Sequence, residues 1–123
     1  MPRPTGPVPA EPAGEFTQEM HTRGGLRYDD DKPRFDLLPP EAMEALARHY
    51  LAGAQKYDAR NWEKGMAWGR CFGSMMRHAW AWMRGEDIDQ ETGNHHMIAV
   101  AWNAIALFTY ATRHIGEDDR PKL

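Results

Sequence analysis

The segment from residue 97 to residue 111, MIAVAWNAIALFTYA, constrains the fold of this chain more than any other part. A helix formed by it is apolar on almost every side and has to be covered by the rest of the protein. It is too short to span a bilayer, which takes roughly 20 apolar residues. We therefore predict an interior helix that begins after Asn94 and ends near His114.

Two more helices are predicted upstream. The first runs from about Pro40 to Tyr57, because a proline is well tolerated in the first turn and apolar residues then recur at helical spacing. The second covers about Arg70 to Arg84 and is apolar around most of its circumference, so we expect it to be buried on more than one side. Gly85 follows it as a helix-terminating glycine.

These elements predict an all-α fold, a small bundle of three main helices with an extended N-terminal lead-in. We expect residues 1–24, rich in proline, to form a flexible tail, residues 25–115 the helical domain, and residues 116–123 a polar, frayed tail. Five tryptophans and eight methionines supply much apolar area for so short a chain. Because a small domain buries a smaller fraction of its surface, we expect a homo-oligomer, a dimer or tetramer, to complete the bundle.

Composition narrows the class of protein. Fifteen basic and 18 acidic residues give a net charge of −3, which argues against a nucleic-acid partner. No segment resembles a signal peptide or a membrane span, so we expect no membrane association. Cys71 is the only cysteine, which excludes an internal disulfide and favours the reducing cytoplasm.

The stretch RGEDIDQETGNHH, residues 84–96, is the strongest candidate for a site. Glu86, Asp87 and Asp89 follow the second helix, and His95 and His96 begin the third. If the loop folds back, carboxylates and imidazoles surround one or two cations. Carboxylate oxygens suit Mg²⁺ or Mn²⁺, and imidazole tolerates Mn²⁺ better. The alternative is an acidic loop between the helices in which Asp89 or Thr92 caps a helix, and the spacing alone favours neither.

Polar residues also interrupt the apolar helices. Asn103 shares a face with His96, and a buried amide without a hydrogen bond costs roughly 1–3 kcal/mol. Arg77 and His78 interrupt the second helix in the same way. Each of the three residues has a structural interpretation. Asn103 would be an amide bonded to the neighbouring helix, Arg77 a cation at the surface, and His78 a core histidine with its hydrogen bonds satisfied. If the three helices bring these groups together, they build a site inside the bundle instead.

Familiar metal and hydrolase motifs fit poorly. A calcium loop that starts at Asp87 has Thr92 where glycine is needed and Ile98 where glutamate is needed. The sequence has no His-Asp dipeptide, no H-E-x-x-H motif and no set of cysteines for zinc. The E-x-x-E and E-x-x-D spacings of MazG-like all-α nucleotide pyrophosphohydrolases are met by EAME, residues 41–44, and EDID, residues 86–89.

Two longer segments carry a more specific resemblance. YDDDKPRFDLLPPEAMEALARHYLAGAQKYDARNW and RHAWAWMRGEDIDQETGNHHMIAVAWNAIAL are similar to a family found largely in tailed phages, the dATP/dGTP diphosphohydrolase N-terminal domain family. The resemblance covers roughly residues 25–113. Its recognisable pieces include Lys32-Pro33, Leu38-Pro39-Pro40, Lys56-Tyr57, Asn61-Trp62, Arg77-His78, Gly85-Glu86-Asp87 with Asp89, and His96 with Asn103. The family often has a second histidine near position 99, where this chain has Ala99.

The resemblance implies a hydrolase that cleaves a purine deoxynucleoside triphosphate to the monophosphate and pyrophosphate, with Mg²⁺ or Mn²⁺ as cofactor. In phages such an activity controls the nucleotide pool of the host cytoplasm. Phosphoanhydride cleavage needs charge neutralisation, an activated water and aligned attack. The residues expected to supply these are Glu86, Asp87 and Asp89 for the metal; His78, His96 and Glu86 for catalysis; and Lys32, Lys56, Arg77, Trp62 and Asn103 for the substrate.

Two other functions stay open at this point. The chain could be a non-catalytic phage accessory protein, a helical dimer that binds a protein partner through its aromatic residues. Residues 86–96 would then be only a loop. It could also be a nucleotide sensor, which binds without turnover. Binding of Mn²⁺ together with dGTP separates the enzyme and the sensor from the accessory protein.

Overall fold

The computed structural model describes residues 24–26, 28 and 30–123. Over this part of the chain the fold is all-α, as predicted. The helices are α1, Pro40–Lys56; α2, Trp68–Met83; and α3, His96–Arg113. Two short 3-10 helices, Phe35–Leu37 and Asn61–Lys64, lie before and after α1.

Extended structure plays almost no part in the fold. Among the described residues it consists of two isolated bridges, Ala67 with Glu117 and Ile88 with His95. No helix of this part of the chain has the length and apolar character needed to cross a bilayer.

The chain divides into two units, Met1–Phe35 and Asp36–Leu123. The residues of the first unit that the structure describes, Lys32 among them, are exposed. The flexible tail predicted for residues 1–24 lies outside the described residues except for Gly24. All three α-helices belong to the second unit.

α1 lies at the edge of the helical unit. Pro40 begins it, where the missing N–H would have no partner, and Glu41 in the first turn suits the positive end of the helix dipole. None of its residues is fully buried. It packs on α3 along one side, where the Tyr50 and Trp102 ring centroids are 6.1 Å apart. Residues of α1, Tyr50 among them, also line a cleft.

The C-terminal segment caps α2, which therefore begins at Trp68, earlier than predicted. The Trp68 N–H donates to the Glu117 carbonyl at 2.9 Å, and the Gly69 N–H donates to the Asp119 carboxylate at 2.7 Å. The first turn of a helix has free N–H groups and a positive dipole end, so a carboxylate there is stabilising. The expectation of a frayed tail is wrong for residues 117–119, which these contacts hold in place.

The core lies between α2 and α3. Its buried residues are Cys71, Ala106 and Tyr110, and Trp62 and Trp102 are among the partly buried side chains packed against them. The Tyr110 side chain is fully buried, and its hydroxyl donates to the Trp62 carbonyl at 2.6 Å. Burial raises the pKa of Tyr110 to about 12. The hydroxyl therefore keeps its proton and remains a donor.

Large apolar side chains stay exposed in the single chain. On α2, which was expected to be buried on more than one side, the buried residues are limited to Cys71 and Ala81. Phe72 and Met83 on α2 and Phe108 on α3 are each more than half exposed. The interior position predicted for the third helix therefore holds for one of its faces.

Replacing Tyr110 by phenylalanine should destabilise the fold without changing its shape. The ring stays in place, but the Trp62 carbonyl loses its donor, which we expect to cost about 1–2 kcal/mol. Urea unfolding followed by circular dichroism measures the difference. Tyr57→Phe, a matched change at a side chain that is 60% exposed, should stay within about 0.5 kcal/mol of wild type. Equal effects of the two substitutions would contradict the role of this hydrogen bond.

Candidate functional site

The end of α2 aims an acidic side chain at the start of α3. Gly85 has a φ of +103°, a conformation that glycine adopts without strain. The Gly85 N–H donates to the Trp82 carbonyl and the Glu86 N–H to the Ala81 carbonyl, which are the paired hydrogen bonds of a Schellman motif. The terminating role predicted for Gly85 is confirmed, and the motif fixes where Glu86 leaves the helix.

The loop between α2 and α3 folds back on itself. The Asp89 N–H donates to the Asn94 carbonyl at 2.8 Å, and the Gly93 N–H donates to the Asp89 carbonyl at 2.7 Å. The Asp89 carboxylate accepts from the Glu91 N–H at 3.0 Å, as in an Asx turn. One carboxylate oxygen therefore braces the turn, and the other accepts from the Thr92 hydroxyl at 3.3 Å.

Two histidines meet Asp89 where this loop reaches the helices. His78 on α2 and His96 at the start of α3 place their Nδ1 atoms 2.9 Å apart. One ligand atom from each of His78, Asp89 and His96 lies within 4.8 Å of the other two. We call these three residues the histidine–aspartate cluster. Over the ranges that the structure describes, no other three His, Cys, Asp or Glu side chains converge in this way.

Glu86 determines which nitrogen of His96 carries a proton. The His96 side chain is buried, and its Nε2 lies 3.1 Å from a Glu86 carboxylate oxygen. A carboxylate accepts hydrogen bonds, so Nε2 carries the proton, and in the neutral ring the Nδ1 that faces His78 is bare. A carboxylate on one imidazole nitrogen with a metal on the other is the usual arrangement of histidine metal sites.

The donor atoms of the cluster fit a divalent cation. Two ligands at right angles on one ion, each about 2.1 Å from it, are about 3.0 Å apart. The two Nδ1 atoms are 2.9 Å apart. Two imidazoles and a carboxylate form a set that suits Mn²⁺ or a later transition metal better than Mg²⁺.

Burial favours the neutral form of His78. It lowers the pKa of this imidazole below the ordinary value of 6.5, and the neighbouring His96 and Arg77 lower it further, whereas Asp89 and Glu91 act in the opposite direction. The neutral imidazole is the form that binds a metal ion. The environment of His78 therefore prepares it to act as a ligand near neutral pH.

A further histidine, His49 on α1, was not predicted from the sequence. It is half-buried in the same cleft, and its Nδ1 lies 3.1 Å from the Asn94 amide nitrogen. Burial is the main cause that lowers the pKa of His49; His78 lowers it further and Asp89 raises it. A signal was present in the sequence, because an Arg-His pair interrupts the first helix at residues 48–49 as another does at residues 77–78.

An open cleft of about 1540 Å³ adjoins the cluster. Residues of all three helices and of the interhelical loop line it. They include four of the predicted substrate-binding residues, Lys56, Trp62, Arg77 and Asn103. The structure therefore brings cations, an indole ring and the cluster to one surface.

Protein contacts hold the aromatic and basic groups of the cleft. The Trp62 ring meets the Tyr50 and Trp102 rings edge-on, with 5.9 Å between centroids in each pair. The Lys56 ammonium lies 3.9 Å from the Glu91 carboxylate. Because both of these side chains are mostly exposed, the pair is weak and can rearrange.

Asn103 fulfils the structural interpretation of a buried amide. Its Nδ2 donates to the Ala99 carbonyl at 2.8 Å, and its Oδ1 accepts from the Cys71 thiol on α2 at 3.2 Å. The amide therefore bonds both its own helix and the neighbouring one. It also lies at the edge of the cleft.

Other predicted residues lie apart from the cluster. Asp87 is exposed, and the group it gives to the site is its backbone carbonyl, which accepts from the His96 N–H at 2.8 Å. Lys32 belongs to the first unit of the chain. Glu44, one of the acids in the E-x-x-E spacing, pairs with Arg48 at 2.8 Å on an exposed side of α1.

A cluster of metal-ligand type held between facing helices defines a class, the all-α bundle proteins that build sites from inward-facing side chains. The chain belongs to the family described as dATP/dGTP diphosphohydrolase, N-terminal, which it matches over residues 22–120. The family resemblance predicted from the sequence is thus confirmed.

The dATP/dGTP diphosphohydrolase of Salmonella phage PMBT28 is 31% identical over 96 residues, which are 78% of this chain and 33% of the relative. The chain therefore spans about a third of the length of that relative. No solved structure matches the chain.

The metal-free protein should lose stability as the pH falls below 6.5, the ordinary pKa of histidine. Because the pKa values of His49 and His78 are lower in the folded than in the unfolded chain, the unfolded state binds more protons below that pH. Their contribution to stability is therefore complete above pH 6.5 and is lost as the pH falls toward the folded-state pKa values. We expect thermal melting to occur at lower temperature near about pH 5.5 than near about pH 7.5.

The His49→Asn variant isolates one of these two groups. It lacks a titrating group at position 49, so the difference in melting temperature between the two pH values should be smaller than in wild type. Differential scanning calorimetry of both proteins without metal makes the comparison. An identical difference in the two proteins would mean that His49 does not contribute to the pH dependence.

Proposed function

We propose that this chain binds a purine deoxynucleoside triphosphate, dGTP or dATP, in the cleft and hydrolyses it to the monophosphate and pyrophosphate with a divalent cation. The histidine–aspartate cluster beside a cleft lined by cations and aromatic rings carries this proposal. The family and the name of the Salmonella phage relative support the substrate class. We assign the activity to residues 25–115 and the role to nucleotide-pool control by a phage in the host cytoplasm.

The cation is assigned to His78, Asp89 and His96. Of the two ions expected from the sequence, Mn²⁺ suits this set better than Mg²⁺, because imidazole nitrogen binds it more readily. An ion held there would neutralise triphosphate charge and acidify a water molecule for the attack. Glu86, predicted as a ligand and a catalytic group, has a different part in this scheme. It holds the proton on His96 Nε2 and leaves Nδ1 bare for the ion.

Basic side chains on two sides of the cleft are assigned to the phosphates. Arg77 precedes His78 on α2, and its exposed side chain lines the cleft. Its planar guanidinium can donate two parallel hydrogen bonds to phosphate oxygens. Lys56 reaches the cleft from α1, and a phosphate can replace its weak contact with Glu91. Lys32 remains a proposed phosphate contact on the basis of the sequence.

The base is assigned to the aromatic side of the cleft. Trp62 and Tyr50 line it together, and every purine has a flat face that stacks on such rings. Trp102, which also lines the cleft, meets the Trp62 ring edge-on. Asn103 is assigned mainly to joining α2 and α3, since its amide already bonds groups of both helices.

The direct test is hydrolysis of the common ribonucleoside and deoxyribonucleoside triphosphates with Mn²⁺ or Mg²⁺, with products separated by chromatography. We expect dGTP and dATP to give the monophosphate and pyrophosphate. Stepwise release of single phosphates would contradict this reaction. Binding of Mn²⁺ and dGTP without turnover would favour a nucleotide sensor, and binding of neither would favour a protein-binding accessory role.

Asp89→Asn should remove the metal-dependent turnover while leaving the loop folded. Asparagine keeps the oxygen that braces the turn at the Glu91 N–H but lacks the charge that a cation needs. We expect turnover of dGTP to fall by more than about 100-fold. Asp87→Asn, two positions earlier and outside the cluster, should keep most of the activity. An equal loss in both variants would return Asp87 to the ligand set, and full activity of Asp89→Asn would remove Asp89 from it.

We also propose that two or more copies of the chain associate through a groove between α2 and α3. The groove has a volume of about 510 Å³ and is lined mainly by apolar side chains, among them Phe72, Leu107 and Phe108. Among the described residues, the buried apolar ones are few and mostly small: Cys71, Ala81, Ala99, Ala106 and Tyr110. A second copy on this groove would supply the apolar contact that so small a core lacks.

Phe108→Glu should dissociate the oligomer. The Phe108 side chain is 72% exposed in the single chain, so the fold tolerates the change, whereas a carboxylate in an apolar interface is costly. Sedimentation equilibrium should show a dimer or tetramer for wild type and for the control Phe108→Leu, and a monomer for Phe108→Glu. A monomeric wild type at the highest soluble concentration would overturn the proposed association.

A further inference from the structure

His49 stands outside the histidine–aspartate cluster but lines the same cleft. Its ring on α1 lies 6.1 Å from the Trp102 ring, and its Nδ1 lies 3.1 Å from the Asn94 amide nitrogen. An amide NH₂ group is a donor only, so Nδ1 accepts this hydrogen bond and the imidazole is neutral. The half-buried position favours the same neutral form by lowering the pKa of His49.

Asn94 links His49 to the cluster. The Asn94 carbonyl accepts from the Asp89 N–H at 2.8 Å. His49 therefore holds Asn94, and Asn94 holds Asp89, which supplies the carboxylate of the cluster. A second path runs through Thr92: the Asn94 N–H donates to the Thr92 hydroxyl at 3.2 Å, and that hydroxyl donates to the Asp89 carboxylate at 3.3 Å. Both paths lead from α1 to Asp89.

We propose that His49 is a positioning residue for the metal-binding loop. By holding Asn94, it fixes Asp89 at the distance from His78 and His96 that one cation requires. This role rests on the proposed function, since it takes the cluster to be a cation site. His49 acts through Asn94 and is not itself a ligand, because Asn94 occupies its Nδ1 and the ring lies outside the set of converging ligand atoms.

The link matters because α1 is otherwise loosely joined to the loop. α1 has no fully buried residue. Its other polar contact with the loop in the described structure, between Lys56 and Glu91 at 3.9 Å, is exposed and contributes little. The hydrogen bond between His49 and Asn94 therefore sets how the loop sits against α1, and with it where Asp89 is held.

Binding of Mn²⁺ alone to the full chain tests this role, with isothermal titration calorimetry as the readout and no nucleotide present. His49→Phe keeps a ring against Trp102 but removes the acceptor, and we expect the dissociation constant for Mn²⁺ to rise about 10-fold or more. His49→Asn offers an amide oxygen close to the position of Nδ1 and should restore binding to within about threefold of wild type. Arg48→Gln, an exposed neighbour on α1 that pairs with Glu44, should bind Mn²⁺ as wild type does.

A double-mutant cycle shows whether His49 acts through Asn94. Asn94→Ala should weaken Mn²⁺ binding about as much as His49→Phe, and the double variant should bind no more weakly than either single variant. Urea unfolding of each metal-free variant verifies that the helices are intact. Losses that multiply in the double variant would show that the two residues act independently, and this would overturn the proposed relay.

The remaining outcomes separate this role from the proposed hydrolysis. Wild-type affinity for Mn²⁺ in His49→Phe would overturn the positioning role and leave the cluster standing. If His49→Asn restores Mn²⁺ binding but not dGTP turnover, His49 touches the reacting groups directly, and the positioning assignment is wrong. A wild-type chain that binds Mn²⁺ without hydrolysing dGTP would remove the proposed hydrolysis only. A wild-type chain that does not bind Mn²⁺ would overturn both.

Discussion

The close packing of α2 against α3 is the constraint on which the site depends. The small side chains of Cys71 and Ala106 are buried together where the two helices pack, and small residues at such a contact allow the backbones to approach closely. The approach brings His78 and His96 together with 2.9 Å between their Nδ1 atoms. A larger buried side chain would separate the helices and move these nitrogens beyond the reach of one ion. The geometry of the site is thus a consequence of the core.

The protonation of the ring nitrogens of His78 and His96 bears on how the pair could accept a cation. Two bare nitrogens at 2.9 Å would repel, and two protonated ones would clash. Since Glu86 keeps the proton of His96 on Nε2, His78 has to donate from Nδ1 in the metal-free protein. If the proposed cation were held by both rings, it would take the place of that proton, and the neutral His78 ring would carry its proton on Nε2. Binding of the proposed cation would therefore require a change of tautomer in His78.

The helices were predictable from the sequence because their signals are local, whereas much of the site was not. Pro40 and Gly85 mark helix ends by their own backbone chemistry, and the structure has α1 and the end of α2 within about one residue of the prediction. The start of α2 was missed because its cap, Asp119, comes from the far end of the chain. The pairing of Asp89 with Asn94 decides which acid meets the histidines, and no spacing rule contains that pairing.

The position of α1 depends both on its packing against α3 and on its hydrogen bond to the interhelical loop, and it shapes the cleft. Aromatic contacts such as Tyr50 against Trp102 hold the helix on α3, but apolar contact is not directional and fixes its distance better than its rotation. Hydrogen bonds are directional. The bond from Asn94 to His49 therefore constrains the rotation of α1, which the aromatic contacts leave less defined. A triphosphate that contacts Lys56 on α1 and Arg77 on α2 would link the two walls of the cleft. Because a ligand stabilises the arrangement that it binds, substrate and cation would then each favour the same placement of α1.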